Sequence, residues 1–71
     1  MKYAIIDNNT KEFYPDPMYE DRKKAQDKIN YLQGYEAKNN MEIKNWAIEK
    51  LNKERFTQHE KEWKRYVSMI D

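Results

Sequence analysis

Between Lys2 and Asp7 the chain carries apolar or aromatic side chains at four successive positions, Tyr3, Ala4, Ile5 and Ile6. A run without alternation, rich in aromatic and β-branched residues, predicts a strand covered on both faces. Asn8-Asn9 follows, a pair that tolerates the positive φ of a tight turn, and Thr10 to Tyr14 is short enough to return antiparallel. An N-terminal hairpin is therefore expected. Pro15-Asp16-Pro17 must end its second strand, because each proline removes a ladder donor and fixes φ.

From Asp21 the period changes. Ala25, Ile29 and Leu32 recur at spacings of four and three, which is one face of a helix, with Asp21 placed as its N-cap. Gly34 stands either just past the helix in a left-handed conformation or inside it at a cost of about 1 kcal/mol. The helical spacing continues through Tyr35, and Asn39-Asn40 offers a later stop, so the later end is favoured.

Met41 to Leu51 fits neither template cleanly. A helical reading places Met41, Ile48 and Leu51 near one face, whereas a strand reading places Trp46 and Ile48 on one face and Ala47 on the other. A strand over about Asn45 to Leu51 is preferred, because a two-stranded hairpin alone is marginal and a third strand would make a small sheet for the helix to cover. Beyond it, Phe56, Trp63, Tyr66, Val67 and Ile70 fall in one stripe of a second amphipathic helix. Asn52 is one candidate cap; Thr57-Gln58-His59-Glu60 has capping-box spacing and would start the helix a turn later. The pattern predicts a small α+β domain in the order ββαβα, with residues 1–71 forming one unit. A mainly α domain with an N-terminal hairpin is the alternative, should Met41 to Leu51 be helical.

Composition limits what holds this domain together. Of 27 apolar residues in 71, only nine are Ile, Leu or Val, while ten are aromatic. A single core of this size rarely leaves more than about 3–5 kcal/mol of net stability, and small scaffolds usually add disulfides, a metal or a partner subunit. With no Cys and one His, self-association or unusually good packing is left. The net charge of +1, from 14 basic and 13 acidic residues, removes the simple electrostatic argument for a nucleic acid or for a basic partner. The longest aliphatic run is Ala4-Ile5-Ile6, far short of a signal-peptide core or a membrane span, so a cytoplasmic protein without a membrane role is expected. The absence of Cys accords with a reducing compartment.

The chemistry of the side chains argues against an enzyme. Acid–base and nucleophilic catalysis need desolvated, held titratable groups, and the chain has no Cys, one Ser (Ser68) and one His. His59-Glu60 begins like the zinc-protease motif but no second His follows, so no metal or other cofactor is expected. His59 reads instead as a partly exposed side chain at the edge of the apolar stripe, with partner contact or a modest pH response as its only uses. One glycine cannot build a phosphate-cradling loop. Asp16, Glu20 and Asp21 lack the spacing of a calcium loop and read as acidic residues favouring a helix N-terminus.

Two features point to binding. Lys24, Lys28, Tyr31, Tyr35 and Lys38 follow spacings of four, three, four and three, a stripe of cations and aromatics that would track a phosphate backbone while its tyrosines stack on bases. The bland explanation is a rim of snorkelling lysines and half-covered tyrosines, and Glu20, Asp27 and Glu36 dilute the local field. The second feature is the excess of aromatics: six Tyr and two Trp exceed what one thin core surrounds, and these residues dominate protein interfaces. Tyr19, Tyr31, Tyr35, Trp46 and Tyr66 are the ones whose placement decides between core and interface.

Residues with AT-rich codons (Phe, Tyr, Met, Ile, Asn, Lys) make up 36 of the 71 positions. In size and in this Lys/Asn/Tyr composition the whole chain resembles the small orphan proteins of phages and prophages from AT-rich bacteria, a resemblance that rests on no motif. It implies a small regulatory or host-directed protein. The expected function is a non-enzymatic interaction module that binds a protein partner, a second copy of itself as a homodimer being one such partner, and no small-molecule substrate. The alternative is a nucleic-acid-binding module using the Lys/Tyr stripe, extended by Lys61, Lys64 and Arg65 of the last helix.

Overall fold

A computed structural model describes residues 1–70 as an α+β domain. Its elements run in the order β1 (Tyr3–Asp7), α1 (Arg22–Lys38), β2 (Trp46–Lys50) and α2 (Lys53–Ile70). The strands pair antiparallel, with Tyr3 opposite Lys50, Ile5 opposite Ile48 and Asp7 opposite Trp46. Ala4, Ile5 and Ile6 are buried, as expected of a strand covered on both faces. Alternation then assigns the layers. Ile5 packs with Ala25 and Ile29 of α1, joined at the rim by Tyr14, Tyr19, Trp46 and Ile48. On the other face, Glu49 lies opposite Ala4 and is held by Arg55 of α2. α1 therefore packs on one face of the sheet, and the start of α2 reaches the other through Arg55.

The hairpin expected at the N-terminus is reduced. The return run Thr10–Tyr14 meets β1 only through an Ile6–Phe13 bridge, and a second bridge joins Tyr3 to Tyr19. Asp7 closes the turn, its side chain accepting from Asn9 N–H at 2.9 Å and its carbonyl from Lys11 N–H at 2.7 Å, with Lys11 in the left-handed region at φ 65°. Pro15 and Pro17 have no N–H to donate, so the chain bulges between the two bridges and carries Asp16 outward. β1 is nonetheless lined on this edge, because Tyr14 N–H donates to Ile5 O and Tyr3 and Tyr19 exchange both hydrogen bonds.

The ends of α1 explain why Met41 to Leu51 is not helical. Asp21 caps the start, accepting from Lys23 N–H at 2.9 Å. At the far end Asn40 adopts φ 57°, its N–H donates to Ala37 O, and Met41 N–H donates to Glu36 O at 2.8 Å. This is the paired hydrogen-bond pattern that terminates a helix through one left-handed residue. Gly34 stays inside the helix, as the later end requires. The Glu36 carboxylate, itself buried, then accepts from Lys44 N–H and from the Trp46 indole N–H, fixing the path into β2. α2 starts at the earlier of its two candidate caps: Asn52 accepts from Arg55 N–H at 2.8 Å. Thr57 is already inside the helix, donating to Lys53 O instead of capping. No helix among the described residues is long and apolar enough to cross a membrane.

Candidate functional site

The site forms where the bulge meets α2. Arg55 is the clamp. Its guanidinium makes a two-pronged ion pair with Glu49 (2.8 and 2.9 Å), donates to Lys11 O at 3.0 Å and covers the Phe13 ring at 4.1 Å from its centre. One turn later His59 meets the same ring edge-on at 4.8 Å. Phe13 thus sits between the first turns of α2 and its bridge to Ile6, and it fixes α2 together with the Arg55–Glu49 ion pair.

Eighteen residues carry α2 about 27 Å. Its first turns lie against Phe13 and Glu49. In the second half the apolar stripe continues into solvent, with Val67, Met69 and Ile70 exposed, the last two at 73% and 67%. Between this overhang and the Phe13–Asp16 segment lies a groove of about 480 Å³. Phe13, Tyr14 and Pro15 form one wall; Trp63, Tyr66 and Met69 form the other, with the Trp63 and Tyr66 rings stacked 5.6 Å apart. Asp16 and Glu62 supply negative charge to the rim and Arg65 positive charge.

His59 lies at the inner end of this groove and departs from expectation. It is 4% exposed, not half-exposed at a stripe edge, because Phe13 and the Asp16 bulge close over it. Among the described residues its Nδ1 has no hydrogen-bond partner. Burial holds its pKa below the ordinary 6.5; a hydrogen bond with the Asp16 backbone and the charges of Glu62 and Asp16 oppose that shift, and Arg55 reinforces it. Burial also raises the Asp16 carboxyl above 3.8, against the pull of Lys28 and His59. Asp16 is further engaged by a hydrogen bond from the Tyr19 hydroxyl. Among the described residues no cluster of three or more His, Asp or Glu is placed to hold a metal ion.

The stripe read from the sequence on α1 lies elsewhere. Lys24, Tyr31, Tyr35 and Lys38 are exposed, the tyrosines at 63% and 51%, and Lys28 is half-buried. Tyr31 and Tyr35 stack on each other at 6.5 Å, and Lys28 reaches over both Tyr31 and Tyr14. The five residues do share a face, and none of them lines the groove beside α2. Of the other aromatics in question, Tyr19 and Trp46 complete the core and Tyr66 lines the groove. Phe13, Tyr14 and Asp16 belong to the site and were not singled out as binding residues from the sequence; their only signal was their position beside a proline-broken strand. No protein-family model matches the chain, and no curated protein or solved structure matches it.

Proposed function

We propose that this protein is a non-enzymatic interaction module whose groove takes an apolar segment of a partner protein. The observation that carries this reading is the continuity between the groove and the exposed end of α2: Trp63, Tyr66 and Met69 line the concave surface, and Val67 and Ile70 extend the same stripe into solvent. Aromatic anchors in a pocket with a polar rim are the features that carry binding energy in protein interfaces. The rim is mixed in sign, through Asp16, Glu62 and Arg65, which favours a protein segment over a polyanion. The compositional resemblance makes a bacterial host protein the partner class, and a cytoplasmic setting goes with it.

The experiment is a comparison of bait proteins. Wild type immobilised in extract of its own cell retains a partner that Met69→Asp and Tyr66→Ser both lose; retention unchanged in the two variants would overturn the reading.

The α1 stripe supports a second reading, nucleic-acid binding, because two exposed tyrosines stand beside Lys28 with Lys24 and Lys38 on the same face. Binding of that kind weakens steeply with salt and falls when Lys24 and Lys28 become Glu. Absence of retention on immobilised DNA or RNA at low salt removes it.

A further inference from the structure

The sheet has one open edge. β2 has a single neighbour, β1. Asn8 N–H donates to Asn45 O and Leu51 N–H to Lys2 O, so the hydrogen-bonded pairs of the ladder are 2/51 and 8/45 and, by alternation, 4/49 and 6/47. The backbone groups of Ala47 and Glu49 therefore face β1, and those of Trp46, Ile48 and Lys50 face outward. Among the described residues no hydrogen bond reaches them. The opposite edge of the sheet, on β1, is closed by the Phe13 and Tyr19 bridges. β2 carries no proline or bulge to block pairing, and of the charges that blunt an edge it has Lys50 and Glu49, the latter already held by Arg55.

The geometry points to a second copy of this chain as the occupant: two β2 strands pair antiparallel about a two-fold axis through Ile48, joining two sheets into one. The register follows from charge. With Ile48 opposite its own counterpart, Trp46 faces Lys50 of the other copy and Ala47 faces Glu49, so no like charges stand directly opposite across the whole strand. Moving the axis to Glu49 sets two Glu49 carboxylates face to face; moving it to Ala47 opposes Lys44 and Lys50. A net charge of +1 leaves little long-range repulsion between copies. The seam uses neither α2 nor its groove, so it stands independently of the proposed partner site and would present two grooves per dimer.

The test is sedimentation of wild type over about a hundredfold range of concentration, with residue-resolved amide exchange at both ends. The mass should rise toward twice that of the monomer, while the Trp46, Ile48 and Lys50 amides slow with concentration and those of Ala47 and Glu49 stay protected throughout. Lys50→Pro removes one outward donor at an exposed position and leaves the β1 ladder intact, so it should remain folded by circular dichroism and monomeric. A chain monomeric throughout with those three amides unprotected overturns the proposal. So does a dimer in which they remain unprotected, or a folded Lys50→Pro that dimerises like wild type. Should Lys50→Pro fail to fold, the exchange pattern of wild type decides.

Discussion

The His59 imidazole meets the Phe13 ring edge-on at 4.8 Å, across 46 positions of sequence, and this contact joins the bulge to α2. A protonated imidazole there is buried with no partner on Nδ1. The pKa of His59 is lowered on folding, so the unfolded chain binds the extra proton first. Stability is fully present above about 6.5 and is lost as pH falls from 6.5 through the lower folded value. Asp16, with a raised pKa, acts with the opposite sign in a range that begins at 3.8. Urea midpoints measured between pH 7 and pH 5 should fall for wild type; His59→Leu should remove the part of the slope just below 6.5.

Arg55 holds α2 by a two-pronged ion pair with Glu49, both side chains less than a quarter exposed. Charge-assisted hydrogen bonds of this kind contribute about 1.5–3 kcal/mol. Arg55→Ala should lower the stability by about that amount, and Arg55→Lys should recover only part of it, because an ammonium cannot reproduce the planar fork. Denaturant unfolding of the two variants measures both.

Glu36 is the buried acceptor for Lys44 N–H and the Trp46 indole. Glu36→Leu leaves the half-buried Trp46 indole N–H unpaired and should cost about 1–3 kcal/mol, whereas Glu36→Gln keeps a carbonyl acceptor and should cost less. The indole N–H resonance of Trp46 should move in both variants, with that of Trp63 unchanged.

Among the described residues Ile5 is the one large side chain that is fully buried. Truncating a buried Ile to Ala costs about 2–5 kcal/mol, comparable with the roughly 3–5 kcal/mol available to a domain of this size. Ile5→Ala should therefore be largely unfolded at room temperature and Ile5→Val folded with a lower midpoint, as circular dichroism during thermal unfolding will report.

Local signals were read correctly where local physics decides. Asp21 caps α1, Ala25, Ile29 and Leu32 face the core, Asn39-Asn40 ends the helix, and a strand lies inside Asn45 to Leu51. The groove was not legible because each of its walls depends on a distant residue. His59 looks like a stripe edge until Phe13 closes over it, and Phe13 looks like a strand residue until Pro15 and Pro17 force the bulge that turns the chain toward α2. The legible part of the α2 wall was the stripe from Phe56 to Ile70, and of the opposite wall the proline-broken strand. The α1 stripe was legible as a pattern, and its tyrosines stack on each other in the open.

The central claim is that the groove beside α2 holds a protein segment. A photo-crosslinking residue placed at Met69, in the chain expressed in its own cell, tests it most directly, with the same residue at Tyr35 as the comparison. One discrete protein adduct is expected from position 69, abolished by adding Tyr66→Ser, and none of that mass from position 35. The same adducts from both positions, or none from position 69, would contradict it.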